Sequence, residues 1–509
     1  MNANYRTPAS GVILRPLVLA LLLAATACAS VQPPHRDHLD ATDARLAQCA
    51  HWFEALDAAV ARSGVADIEA RRMKGFPYLR IDRFLASMKQ DARDDARLQD
   101  AWIEEMRARD ADGRRVEIAN LAAVQVDRLG AGNRRELTQR TQQCAQRLLA
   151  ADAADASAQA SLYRRAYVAD NYSTLKRGLG LYELTRIPFY AGVEAWQEDA
   201  EETFVQARRG ELPSAALRRY VPPATPVFDR QQVAAILARA TAHPLGLPRL
   251  SAVERERLFA TYAPVFEIET GGDFDRIGRL GWDSALVPRV DVAQPVIYHR
   301  LGYTRAGQRT LLQLVYTAWM QERPLESSFD ILGGHLDGVV WRVTLAPDGE
   351  PVLFDSIHPC GCYHMFFPTP RLQPLPAPRS SMEWAFTPVT LPAIAESERL
   401  VVTLQTRSHY LANVRPATAG TGTSTGTTYG FAEYDELRTL PLPQGGTRSL
   451  FRPDGLIAGT ERGERFLFWP MGIASPGAMR QSGTQATAFV GRRHFDDADI
   501  LEKRFRFRY

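Results

Sequence analysis

The sequence is poor in lysine, in cysteine and in apolar runs long enough to cross a bilayer, and each shortage narrows what the chain can be. Lys74, Lys89, Lys176 and Lys503 are its lysines, the other basic residues are arginines, and nothing clusters them. The 61 basic side chains meet 58 acidic ones for a net charge of +3, too even a balance to leave an electrostatic footprint for nucleic acid. The apolar stretch Pro16 to Ala25 (PLVLALLLAA) falls short of the ~20 residues that span a hydrocarbon layer. A G-x-S-x-G elbow and an H-E-x-x-H helix are both missing, which leaves the common serine hydrolases and zinc proteases without support. What remains is a composition with 45% hydrophobic and 23% charged residues over 509 positions, that of a folded body large enough for two or three domains.

Arg6 and Arg15 stand before or at the edge of the apolar stretch, which makes residues 1–27 a signal segment. It ends in Ala25-Thr26-Ala27-Cys28, which resembles the bacterial lipobox; Ala25 departs from the leucine most often found there. The resemblance implies a thioether to diacylglycerol at Cys28, cleavage before it, and a lipidated tether over residues 28–39 carrying Pro33-Pro34. Acyl chains contribute ~0.8 kcal/mol per buried methylene, so the partner implied is a lipid bilayer. Ala29 replaces the aspartate that retains such proteins at the inner membrane, which implies an outer-membrane lipoprotein facing the periplasm. The rest of the chain resembles Gram-negative envelope lipoproteins to which no activity is attached.

Export sets the other four cysteines in an oxidising compartment, with three possible pairings. Cys49 and Cys144 both lie in amphipathic stretches and are the expected disulfide. From 40 to 211 apolar residues recur at three- and four-residue spacing, as in Leu46, Cys49, Phe53, Leu56 and Val60, and predict a helical domain. Thr42 and Asp43 offer caps for its first helix and Gly64 a stop. Residues 212–264 are proline-rich and read as a connector with short helices. Residues 265–509 alternate Val, Thr, Tyr, Phe and Trp with polar residues and predict strands, so the fold class is α+β with a mainly antiparallel second half. The clearest strands are 310–321, 338–346 and 351–356, the last two joined by Pro347-Asp348-Gly349; further ones are expected at 399–406, 465–469, 484–490 and 504–509. The run 368–378 is too proline-rich for a central strand, and 419–428 is a loop that lacks the lysine of a phosphate-binding loop.

The segment Ile357 to His364, IHPCGCYH, sets His358, Cys360, Cys362 and His364 at every second position. Imidazole and thiolate are ligands that zinc and copper prefer. A straight strand would hold the two histidines ~20 Å apart, against ~4 Å between ligand atoms on one zinc, so a site would use two or three of these groups after Pro359 and Gly361 curl the chain. His335 and Asp337, in GGHLDG, are the residues that hairpin pairing brings near His358. Such a set with an open position activates water for hydrolysis. Two other readings stand beside it: a strained Cys360–Cys362 disulfide, or a tight turn whose histidines are bonded within a core. Three functions follow as expectations, namely ligand or partner binding by the β-rich half, metal-assisted hydrolysis with zinc as cofactor, and thiol redox chemistry. Ser173-Thr174-Leu175-Lys176 matches S-x-x-K but lacks its K-T-G partner. His299, His409 and His494 stand beside arginines and suggest either an anion pocket or, as is commoner, surface positions.

Overall fold

The computed structural model describes residues 36–508, apart from 131, 212–215, 379–381 and 419–425. The leader, the lipobox and Cys28 lie outside the described residues, as does most of the loop at 419–428. Within them the chain is α+β, helical first and mostly antiparallel strand afterwards. No helix among the described residues is long and apolar enough to cross a membrane.

The helical half is built on α1 (Ala44–Ser63), α2 (Ala96–Asn120) and α3 (Arg134–Ala154). Asp43 caps α1 by accepting from the Arg45 amide at 2.8 Å, and Gly64 ends it at φ 63. Cys49 of α1 is bridged to Cys144 of α3. The sequence reading missed a hairpin here, β1 (Arg71–Met73) and β2 (Phe76–Ile81), whose second strand is buried throughout. It has no polar alternation to reveal it, because both of its faces are covered. Around it lies a network of buried charge: Arg80 reaches Asp110 at 3.0 Å and Glu117 at 2.9 Å, and Arg114 bonds Asp57.

Two further helices, α4 (Thr174–Leu179) and α5 (Tyr182–Arg209), lead towards the strands. Ser173 caps α4 by accepting from the Lys176 amide at 3.2 Å, so the S-x-x-K pattern is a helix start. Trp196 and Phe204 of α5 pack on the core of the second half.

Among the described residues that half holds two large sheets and three two-stranded ones. The strands of the large sheets are β3 (Leu217–Val221), β4 (Val265–Glu269), β5 (Val296–Ala306), β6 (Arg309–Arg323), β7 (Gly334–Leu345), β8 (Pro351–Ile357), β9 (Met365–Pro368), β10 (Glu398–Leu404), β11 (Leu411–Thr418), β12 (Thr427–Thr428) and β13 (Gly430–Glu433). The larger sheet runs β9-β8-β7-β6-β5-β13 and the smaller β11-β10-β4-β3-β12. β3 falls in the proline-rich stretch read as a connector. It pairs with β4, so that stretch also supplies the sheet. Leu312, Leu314, Tyr316, Ala318 and Met320 of β6 share one core with Phe266, Ile268, Val402 and Leu404 of the smaller sheet, the two-residue period of a half-buried strand. The β7–β8 hairpin turns at Gly349, φ 81.

Three expected strands differ. Residues 465–469 form a helical turn, Arg465–Phe468, whose Phe468 packs on Phe189 and Phe489. Residues 484–490 keep one isolated bridge, Ala486 to His494, because their amides are taken by side chains: Phe489 and Val490 donate to Glu383 and Ala488 to the Tyr172 hydroxyl. The C-terminal strand is Phe505–Phe507 and pairs with Leu372–Pro374, an edge position that tolerates proline. The late chain also returns to the helical half, where Arg438 grips Asp67 through two bonds of 3.0 and 2.8 Å and Gln481 donates to the same carboxylate at 2.7 Å.

Candidate functional site

β7 carries Asp337 into the interior. β8 ends at Ile357, and the chain then turns tightly: the His358 amide donates to Cys362 O at 3.0 Å and the Gly361 amide to His358 O at 2.8 Å. Gly361 sits at φ 99, and a Cβ there would stand 2.4 Å from Ala486 O, so only glycine closes this turn. The turn points His358 Nδ1 at Asp337 Oδ1, 3.2 Å away. Past β10, a second reversal brings His409 Nδ1 to 2.9 Å from Asp337 Oδ2 and its Nε2 to 3.2 Å from Asp275 Oδ1. Asp275 is held in turn by the Arg407 amide, the Gly271 amide and the Thr406 hydroxyl, each at 2.7 Å. Arg462 Nη2 lies 3.6 Å from Asp337 Oδ1 and donates to Leu336 O at 2.8 Å. The result is a buried line, Asp275, His409, Asp337, His358.

The backbone around it is strained. Seven described residues other than glycine have positive φ, and Leu336, Tyr363, Arg407 and His409 are four of them. Each such conformation costs ~1–3 kcal/mol and persists where the surroundings over-determine it, which is a property of functional sites.

Burial by itself would raise the Asp337 carboxyl, yet His358, His409 and Arg462 together hold it well below the usual carboxylate range. For His409 burial works against charge, but the bonds to Asp275 and Asp337 outweigh it and raise the ring, which favours the imidazolium between two carboxylates. For His358 burial wins and the ring is lowered. A neutral imidazole whose Nδ1 faces a carboxylate must carry its proton there and present a lone pair at Nε2. That Nε2 is buried with no hydrogen-bond partner.

Above His358 lies an aromatic rim. Its ring centroid is 5.0 Å from Tyr363 and 5.7 Å from Tyr410, and Trp196 of α5 is 5.2 Å from Tyr363. Arg323 closes one side by donating to the Tyr410 hydroxyl at 3.0 Å. His358 is buried, whereas Trp196, Tyr363, Tyr410 and Arg323 are partly exposed, so the rim separates the imidazole from solvent by one layer of side chains. Beside it Glu464 is pushed up to about 7, burial outweighing Arg462, Arg323 and Arg480.

The chain matches no family model, no curated protein and no solved structure. Of the residues singled out in the sequence, Asp337 and His358 meet, as hairpin pairing predicts. His335 does not join them: its Nε2 faces Pro288 O at 2.8 Å, since Leu336 at φ 51 breaks the strand alternation between the two. His364 lies in a separate cluster, 2.8 Å from Asp355, which Arg342 also grips at 2.8 and 2.5 Å. Cys360 and Cys362 are both buried and not bonded to one another, the Cys362 amide donating to Cys360 Sγ at 3.3 Å. The neighbouring Cys360 and then burial push the Cys362 thiol well up, away from the thiolate that a nucleophile or metal ligand requires. Among the described residues no group of three or more His, Cys, Asp or Glu side chains is arranged to hold a metal ion.

His299, His409 and His494 are all buried, a correction to their expected surface positions. Each has found a cover: Phe259 over His299 at 4.2 Å, two carboxylates about His409, and Tyr172 with Asp497 about His494. Asp275, Arg462, Glu464, Arg323 and Trp196 carry no local signal in the sequence. Only the double glycine before Asp275 and the histidine between Ser408 and Tyr410 mark unusual backbone.

Proposed function

We propose that the chain is a membrane-anchored envelope lipoprotein whose β-rich half binds a small ring-bearing ligand over His358. The observation that carries the binding reading is the oriented, unpartnered Nε2 of His358 beneath Trp196, Tyr363 and Tyr410. An aromatic wall holds a flat or sugar ring by its face, the imidazole lone pair accepts from a hydroxyl or amine on that ring, and Arg323 favours an electron-rich or anionic substituent. The anchor rests on the Cys28 lipobox. It is supported by exposed apolar side chains, Leu175, Leu179, Leu184 and Ile187 of α4 and α5 and Phe466 and Leu467 of the turn whose Phe468 packs on Phe189 of α5.

Two measurements test the proposal. Intact mass of protein from its own host should show a diacylated Cys28 without residues 1–27; an unmodified full-length mass removes the anchor. A ligand-observed NMR screen of phenols, aminophenols and monosaccharides should yield binders of the wild-type protein that disappear with His358→Phe and with Tyr410→Ala. If the two variants bind the same set as the wild type, the site is elsewhere.

A second reading, hydrolysis at the same atom, is favoured by the line of alternating carboxylate and imidazole that ends on His358. Such a line fixes the tautomer of a general base and stabilises it when protonated. Of the expected zinc ligands Asp337 and His358 meet while His335 and His364 lie apart, and metal analysis of protein purified without chelator measures whether zinc is bound.

A further inference from the structure

On the opposite face of the larger sheet, away from the core shared with the smaller one, lies a cleft of about 290 Å³ between the strands and the helical half. Its floor is a cross-strand row, Arg300 of β5, Val315 of β6 and Arg342 of β7, with Gly302 beside it. Its roof comes from Glu69, Arg83 and Arg109. Five of the lining arginines are tied by carboxylates of the same lining: Arg83 reaches Asp496 at 3.2 Å, Arg109 Asp82 at 2.9 Å, Arg255 Glu433 at 2.9 Å and Arg300 Glu69 at 2.8 Å, and Arg438 meets Asp112 and Asp435. Arg342 is spent on Asp355 and Phe495 O. The lining is therefore neutral in sum, and its carboxylates are already answered apart from Glu69 Oε2, which is buried 3.4 Å from Arg438 Nε without a hydrogen-bond partner.

Two donors are not. Arg83 Nη2 and Arg300 Nη1 are buried and have no hydrogen-bond partner, and His299 Nδ1 in the same lining is in the same condition. Arg83 spends Nε on Asp496 and Arg300 spends Nη2 on Glu69, and each keeps N–H groups of another guanidinium nitrogen. Unanswered buried donors of this kind cost ~1–3 kcal/mol each, and charged ones more. Backbone bulk is withheld at the same place, since a Cβ on Gly302 would stand 3.3 Å from Gln313 Oε1.

We propose that this cleft is a second ligand site, which takes a small molecule through an oxyanion group, carboxylate or phosphate, received by Arg83 and Arg300. Planar guanidinia match both kinds of oxyanion in paired hydrogen bonds. The volume is near the lower end for small-molecule sites, ~300 Å³, which sets the ligand at the size of a monosaccharide phosphate or a short dicarboxylate. The site is distinct from that of His358, which meets Asp337 on the core face of the same sheet.

Titration calorimetry on the full chain with inorganic phosphate and with succinate tests it, the two probes separating phosphate from carboxylate recognition. At least one probe should bind saturably, and Arg83→Lys/Arg300→Lys should weaken it at least tenfold. Gly302→Leu fills the floor without touching an ion pair, and should abolish binding while far-ultraviolet circular dichroism stays that of the wild type. If neither probe saturates the wild type, or if Gly302→Leu binds as the wild type does, the proposal fails.

Discussion

The two halves of the molecule each bury a network of charge, and they build it from different bases. In the helical half Arg72, Arg80 and Arg114 meet Asp57, Asp67, Asp110 and Glu117. In the β-rich half Asp275 and Asp337 meet His409 and His358. A guanidinium never releases its proton at physiological pH, whereas an imidazole does so near neutrality. The first network can only hold elements together. The second can hold them and also change its charge, and it alone leaves a lone pair beneath a partly exposed rim.

The contrast can be broken most forcefully in the helical network. Arg114→Ala leaves Asp57 and Glu117 buried with less compensation, and should cost ~3–5 kcal/mol, read as a lowered urea midpoint for the transition of that half. Asp337→Asn should cost less, roughly 2–3 kcal/mol, as the loss of a charged acceptor from two buried hydrogen bonds. It should also lower the His409 pKa, read from its ring resonances by NMR, a shift that Arg114→Ala should not produce.

A pH series sharpens the comparison further. His409 has a raised pKa in the folded chain, so its stabilisation is full below the unfolded value near 6.5 and is lost as pH rises through the folded one. His299 and His364 are pushed down to about 4 and about 3, burial being the largest cause. The unfolded chain therefore takes up protons first, and stability falls as pH drops below 6.5 towards those values. Unfolding of the β-rich half should show both flanks. Between pH 5 and 9 the helical network should show neither, and equal pH dependence of the two transitions would erase the distinction drawn here.

The smallest effect is expected at Glu464. Its carboxyl is raised to about 7, so this group's own contribution to stability is lost as pH rises from 4.5 to 7, against the histidine flank, and Glu464→Gln removes that loss. The variant should match the wild type near pH 4.5 and exceed it at pH 8 in thermal unfolding.

Much of the architecture was legible because it depends on neighbours in sequence. The helical spacing of Leu46 to Val60, the Asp43 cap and the Pro347-Asp348-Gly349 hairpin all follow from local pattern, whereas the Cys49–Cys144 bridge, which spans 95 residues, was expected because both cysteines lie in amphipathic stretches of one region. The meeting of Asp337 and His358 followed as well, since one hairpin spans them. The rest of the site did not, for His409 reaches Asp337 across 72 residues and Arg407 reaches into the same cluster through an amide. Left-handed backbone at Leu336, Tyr363, Arg407 and His409 is equally silent in sequence, because tertiary packing, and not residue preference, imposes it. The segment 465–469 misled for the converse reason: five apolar or aromatic-flanked residues suggest a strand only where an edge awaits them.

The grip of Arg438 and Gln481 on Asp67 spans 371 and 414 residues, and it bears on the order in which the molecule can be completed. A nascent chain exposes its helical half first, with an aspartate already walled in by Arg80 and Glu117 but lacking two of the partners that answer it. The bonds that complete that half therefore wait on the last seventy residues, and a chain stopped before Arg438 leaves the Asp67 carboxylate with Arg80 at 3.7 Å as its remaining cation.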